Sequence, residues 1–594
     1  MGKLATLVVL TVVFTDSFVA AQSTIRVSVN SSGAQGNAGS VEAVTSGDGR
    51  FTAFRSSATT FVTDMNNSTD VFRRDNVTQQ TVLVSVNTTG VPASGDSYQP
   101  AITVNGRFVA FESAAPDLVA NDTNAAYDVF LRDMVLGTTE LISQSSSGVQ
   151  GDYSSWQPEV SNDGRYVAFI SFATTLVAGD TNSTTDVFLR DRTLQTTIRV
   201  NVSSAGVQAN GVSGLGKGST GISGNGRYVS FTSSATNLIA IDTNGATVDI
   251  FVRDLLLQTT TIASLDSYGN EGNSWSGRHS LSYDGRFLAF VSNATNLVAN
   301  DTNTRADIFV RDRTFSLTSR TSLSSEGGET DSDSDDPSIS LDGRYVAFDS
   351  YATNLVPAMP FQKCIYVRDR ATGLTSLEST NTSGNPPNGL CQNASISMDG
   401  RRIVYESTAS DLVPGDTNNQ LDAFQRDRGA LPQYVSYCFG DGFSSSCPCA
   451  NECQYGLQEG CKHALGYGGK LTAEGLADTT NDSFVLVGSQ LTNSAALYFQ
   501  GTSDVNGGNG IPFGDGLLCI GGTIIRLGVK FAVLGTSRYP EMNDPPISVA
   551  GAVSFGTFRH YQAWYRDSIP FCTMATYNLT NALLVLWLPC PMCP

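Results

Sequence analysis

Oxygen ligands spaced for a hard cation are the most repeated chemistry in this chain. Six segments carry an Asp, an Asn two residues on and a later Asp: Asp64/Asn66/Asp70, Asp122/Asn124/Asp128, Asp180/Asn182/Asp186, Asp242/Asn244/Asp249, Asp301/Asn303/Asp307 and Asp416/Asn418/Asp422. Carboxylate and amide oxygens so placed suit Ca2+, which takes roughly six to eight oxygen ligands. The alternative needs no ion, because Asp and Asn side chains also close tight loops by bonding the loop's own backbone. The segments lack the terminal bidentate acid that makes a calcium loop specific. That favours loop-holding and leaves Ca2+ as the one candidate cofactor.

Other reactive residue types are sparse. The chain has 3 histidines, His279, His463 and His560, none paired at metal-ligand spacing, and it has no Gly-x-Ser-x-Gly elbow and no phosphate loop. An enzyme needs one convergent set of acid, base or nucleophile, so no residue is assigned a catalytic role. Acids are plentiful, which keeps a carbohydrate-active hydrolase or lyase using paired carboxylates as the alternative function. Of 11 cysteines, Cys364 and Cys391 precede residue 432 and the other nine follow Tyr437. Cys447, Cys449 and Cys453 are wrongly spaced for paired zinc knuckles, and Cys590-Pro591-Met592-Cys593 has redox-motif spacing without a helix start, so disulfides are expected of the tail.

The elements that position these residues follow from repetition. Asp/Asn-Gly-Arg occurs seven times at about 58-residue spacing, at Asp48, Asn105, Asp163, Asn225, Asp284, Asp342 and Asp399. Asp-Gly between apolar runs is a hairpin signal. The second strand, such as Arg165-Tyr166-Val167-Ala168-Phe169-Ile170, is nearly all apolar, as in a sheet covered on both faces. Each copy supplies four strands except the seventh, which stops after Asp422–Asp427. Thr24-Ile25-Arg26-Val27-Ser28-Val29 closely matches Thr197-Ile198-Arg199-Val200-Asn201-Val202. The expected fold is therefore all-β, a seven-bladed propeller over residues 22–432 whose last blade is closed by the N-terminal strand, leaving no open edge. A disulfide-rich β-sandwich is expected over residues 433–594.

The succession Asp-Gly-Arg-Tyr-Val-Ala-Phe, Ala-Thr-Asn-Leu-Val, Gly-Asp-Thr-Asn and Asp-Val-Phe-Leu-Arg-Asp-Arg resembles the TolB-like, WD-repeat-like propellers of secreted bacterial proteins over residues 24–428. That resemblance implies fold and little of function, since propellers host binding proteins, hydrolases and lyases. The tail, with Tyr437-Cys438-Phe439-Gly440, Cys447-Pro448-Cys449, Gly460-Cys461, Leu518-Cys519 and Phe571-Cys572, resembles a module of unassigned activity found on other secreted bacterial proteins. Cys453, Cys590 and Cys593 depart from its pattern.

In this topology the strand-two-to-three loops and the blade-to-blade connections share one face. Blade six breaks the ladder there with Cys364 at the position of the last Asp, and Cys391 lies in the next connection, so a Cys364–Cys391 disulfide is expected. The same face gathers Trp156, Trp275, Arg278, His279 and the acidic run Glu329–Asp336. These are candidate ligand-binding residues, with aromatic packing and plain solvation as the alternatives. The Arg-Asp that ends every third strand recurs seven times, which favours structure, since a catalytic pair is needed once.

Lys3, the apolar Leu4 to Phe14 and Val19-Ala20-Ala21 read as an export signal over residues 1–21. A net charge of -19 argues against nucleic-acid partners and suits divalent cations or basic partners. No later run is long enough to span a membrane. The expectation is a secreted or cell-surface bacterial protein that binds a glycan, peptide or protein partner on the loop face without catalysis.

Overall fold

The computed structural model describes residues 22–62, 66, 68–120, 122–357, 359, 361–429, 434–440, 446–453, 459–475, 477–479, 482–505, 510–554, 557–567, 573 and 575–587. The expected leader, Asp64, Cys572, Cys590 and Cys593 lie outside these residues. The chain divides into two compact units, residues 1–431 and 432–594.

The first unit is seven four-stranded antiparallel sheets. In blade three, Ser155–Val160, Tyr166–Ser171, Asp186–Asp191 and Thr196–Arg199 pair in that order from the centre outward. The turn glycines between the first two strands all have φ between 66° and 74°, a region closed to most side chains. Each also packs against the preceding blade: a Cβ on Gly164 would lie 2.2 Å from the Phe108 ring, so these turns mesh like cogs. Second strands are buried on both faces; Val167, Ala168, Phe169 and Ile170 are each 0% exposed. Ring closure follows the expectation: Ser23–Arg26 adds to Asp422–Asp427, with Ser23 opposite Asp427 and Arg26 opposite Phe424.

The repeated charges tie blades together rather than forming reactive pairs. Each turn arginine grips the aspartate that ends the third strand of its own blade, as Arg165 grips Asp191 at 2.6 Å. The arginine just before that aspartate turns away: Arg190 donates to the Ser145 carbonyl, in the connection from the preceding blade, at 3.1 Å. Ser155 lies opposite Ser171, so inner strands begin at the end where second strands finish. That places the two-to-three loops and the connections on one face, as the repeat implies.

The second unit buries one core between two sheets. One contains Tyr434–Tyr437, Ala582–Trp587, Thr557–Arg566, Ala495–Gly501 and Ile525–Phe531, with Tyr577–Leu579 on its third member; the other contains Lys470–Glu474, Val485–Ser489 and Ser537–Tyr539. Leu471, Leu486 and Tyr539 from the second pack on Tyr498, Tyr561, Tyr565 and Trp587 from the first. Cys438–Cys519 and Cys447–Cys461 are disulfides, which rules Cys447 out as a zinc ligand. Among the described residues no helix is long and apolar enough to cross a membrane.

Candidate binding site at the channel mouth

The ladder residues are engaged by the protein itself. In blade three Arg199 reaches Asp180 at 3.3 Å and Asp186 at 3.2 Å, Gln208 Nε2 donates to both, and Asn182 Nδ2 donates to Asp186 at 3.0 Å. Arg26 and Gln35 do the same for Asp416 and Asp422, with Asn418 bonded to the Gly36 carbonyl. Blade two has no such arginine, and Gln150 Nε2 bridges Asp122 and Asp128 at 2.7 and 2.8 Å while Asn124 donates to Asp128. In blade four Asp242 accepts from the Gly245 amide and Asn244 donates to Asp249, whose pKa burial pushes up to about 6. In blade one Asn66 bonds Asp70 at 3.1 Å.

Asp301, Asp307 and Glu329 in blade five are the one group of acids among the described residues compact enough to hold a metal ion. The Arg320 guanidinium pairs with all three, and Asn303 bonds the Thr330 carbonyl. A calcium ion would have to displace these cationic and amide donors.

Blade six corrects one expectation. Cys364 and Cys391 are free buried thiols, not a disulfide. Cys364 stands where other third strands begin with Asp, and Cys391 where other inner strands begin with Ser, so each sulfur takes a place in the repeat's hydrogen-bond chain. Both neighbour the Ser379 hydroxyl, and Cys391 Sγ lies 3.2 Å from Ser407 Oγ. Burial raises both thiol pKa values, which keeps the sulfurs protonated and unreactive.

The central channel is different. The third position of six of the seven inner strands carries a register-breaking bulge and a left-handed residue: Glu42, Gln99, Gln157, Arg278, Asp336 and Asn393, with φ from 35° to 58°. Gly218 has the equivalent conformation in blade four. These residues line one cavity of about 170 Å³. Non-glycine residues seldom hold such φ values, at about 1–3 kcal/mol each, unless surrounding contacts fix them. For three of them the fixing groups are acids near the ends of second strands. Glu112 accepts the Gln157 amide at 2.8 Å, Asp349 the Asn393 amide at 3.0 Å, and Glu406 the Glu42 amide. Burial pushes Glu112 and Asp349 up to about 7 and raises Glu406. Blade one carries Arg55 at that position, so Glu42 pairs with Arg55 at 2.9 Å and itself accepts the Gln99 amide.

Arg278, singled out from sequence, is held by Asp335 and Asp336 at the end of the acidic run. That run is therefore not simply solvated. Arg278 also borders a second cavity, of about 420 Å³, with Trp275, Asn293, Asp333 and Asp335. His279 lines the channel cavity. Trp156 lines neither; it packs on Phe172 at 5.3 Å between ring centroids. Across the channel, Lys217 Nζ donates to Asn393 Oδ1 at 2.7 Å.

Sequence reasoning missed the bulge ring and also Glu159 and Lys217. The signal was present: the third inner-strand residue is polar in every copy that has a regular inner strand, two places after Ser40, Ser97, Ser155, Ser276, Ser334 or Cys391.

No protein family matches the chain, and no curated protein matches it in sequence. Solved structures do resemble it in fold. TolB from Acinetobacter baumannii aligns at 15% identity over 60% of this chain and 76% of that one, with a TM-score of 0.30. The β-propeller domain of the Trilobed protease from Pyrococcus furiosus aligns at 10% identity over 66% and 96%, with a TM-score of 0.40. An oligogalacturonate lyase from Vibrio parahaemolyticus aligns at 11% identity over 65% and 88%, with a TM-score of 0.37.

Proposed function

We propose that this chain is a secreted or cell-surface binding protein that captures a glycan, peptide or protein partner at the channel mouth on its loop face, without chemical turnover. The observation that carries this reading is the ring of six strained polar residues facing one cavity. Strain held against a cost at a concave site is the usual mark of pre-organised recognition. Arg278 is the expected anchor, since it faces both the channel cavity and the larger one beside Trp275, where an indole and fixed carboxylates suit a sugar ring or a peptide. The two disulfides of the second unit fit an oxidising compartment.

Glycan and peptide arrays probed with the full chain test this directly. Wild type is expected to retain discrete ligands, and Arg278→Ala to lose them by roughly tenfold or more, the usual scale for an interface arginine. Arrays with no ligand, or ligands indifferent to Arg278, would remove the assignment. A turnover assay on every ligand found separates binding from the paired-carboxylate reading, which draws on Glu159, a channel acid whose pKa burial pushes up to about 7.

A further inference from the structure

Two departures from the repeat sit side by side in blade five. In the other blades with a regular inner strand the residue before that strand is Gly39, Asp96, Ser154, Asp333 or Leu390, but here it is Trp275. The second residue of the strand is Val41, Tyr98, Trp156, Asp335 or Gln392 elsewhere, but Gly277 here. The two changes depend on each other: a Cβ on Gly277 would lie 2.3 Å from Trp275 Cζ2, so the indole takes the space where a second-position side chain would start. Trp275 is half-buried; it packs against a core that includes Val291, Ile308 and Phe348, and it also lines the cavity of about 420 Å³.

The polar side chains around that cavity both donate and accept. Arg278 makes its ion pairs with Asp335 and Asp336 through Nη1 alone, so Nε and Nη2 have no hydrogen-bond partner among the described residues. The Asn293 side chain is exposed, and the exposed Asp333 carboxylate accepts one bond, from the Ala306 amide at 3.1 Å. The backbone amides are already engaged: Ser334 donates to the Ala306 carbonyl at 2.8 Å, and Asn293 to the Trp275 carbonyl at 3.0 Å. The cavity therefore presents side chains at these positions and not the open strand edge that a peptide adding as a strand needs. A second aromatic surface adjoins it. The Tyr351 amide donates to the Asp333 carbonyl at 3.2 Å, and the Tyr351 ring backs Phe361, which is stacked on it at 5.9 Å between centroids and is 74% exposed.

Resting on the binding role above, we infer that this cavity receives one neutral pyranose unit of an oligosaccharide, stacked on Trp275, and that the sugar chain continues over Phe361. A pyranose turns an apolar C–H face toward the electron-rich face of an indole. Its hydroxyls donate to Asp333 and Asp335 and accept from Arg278 and Asn293, so each polar group of the cavity meets a partner of the right kind. A lysine or arginine side chain brings donors only and would meet Arg278, and a uronate would meet the Asp333 and Asp335 carboxylates. The volume falls within the roughly 300–1,000 Å³ of ligand pockets.

The test probes the full chain on one array of neutral hexasaccharides, hexauronates and peptides. Neutral hexasaccharides are expected to be retained. Trp275→Ala should weaken them roughly tenfold or more, the scale of an interface tryptophan, and Trp275→Phe should recover part of that loss. Gly277→Val, which installs the blade-one residue, keeps every polar group of the cavity and should weaken them to a similar extent by displacing the indole. Phe361→Ala should weaken them less than Trp275→Ala does. Retention of peptides or uronates in place of neutral glycans, or neutral glycans indifferent to both Trp275→Ala and Gly277→Val, would overturn the inference. Peptides that need Arg278 would leave the binding role standing and remove the sugar assignment alone, whereas an array with no ligand would remove both.

Discussion

The ladder loops and the channel mouth are both rich in carboxylates on the same face of the propeller, yet they hold them in opposite ways. In the loops the repeat supplies a donor for each acid: Gln150 for Asp122 and Asp128, Arg199 for Asp180 and Asp186, Arg320 for Asp301, Asp307 and Glu329. At the mouth the repeat breaks, and Glu159 lines the cavity beside a ring of strained residues, with no charged or hydrogen-bonding group among the described residues shifting its pKa. Repetition that satisfies itself builds the scaffold, whereas departures that leave polar groups unsatisfied inside a cavity mark where something else belongs.

The contrast can be broken by turning a satisfied cluster into an unsatisfied one. Arg320→Ala leaves three acids facing each other, with Asp307 fully buried, and should cost about 3–5 kcal/mol in chemical unfolding. Added Ca2+ should restore part of that loss in the variant and do nothing for wild type. Calcium stabilising wild type equally would return the ladder to the metal reading. A smaller cost, about 1–3 kcal/mol, is expected for Gln150→Ala, which removes the amide shared by Asp122 and Asp128.

The mildest effect separates the two regions by pH. Enclosure by the channel wall raises the Glu159 pKa from an ordinary 4.5 to about 7, an effect weakened by the solvent its side chain still meets, so the folded state holds its proton more tightly than the unfolded chain. Its contribution is fully present below about 4.5 and is lost as pH rises through about 7. Wild type should therefore lose stability across that window more steeply than Glu159→Gln, read from denaturant midpoints of the two proteins. Parallel profiles would show that Glu159 is not confined as described.

The architecture was legible because the Asp-Gly-Arg turn fixes both phase and count, and because Thr24–Val29 copies an outer strand that the seventh blade lacks. Arg278 and His279 stood out as departures from the repeat and do line the cavity. Trp156 stood out equally but packs on Phe172, since an aromatic residue at a strand end looks the same in sequence whether it faces a ligand or a neighbour. The bulges were marked only by the recurring polar third residue of the inner strand, because left-handed backbone at Glu42, Gln99 or Asn393 has no stronger signature of its own, unlike at glycine. The expected Cys364–Cys391 bridge is replaced by two free buried thiols beside Ser379, because each sulfur takes a polar position of the repeat.

The most direct measurement compares one array-derived ligand on Arg278→Ala, His279→Ala and Gln150→Ala side by side. The expected result is loss of binding in the two channel variants and wild-type affinity in the ladder variant. Binding that survives both channel changes, or that disappears with Gln150, would contradict the division between scaffold and site.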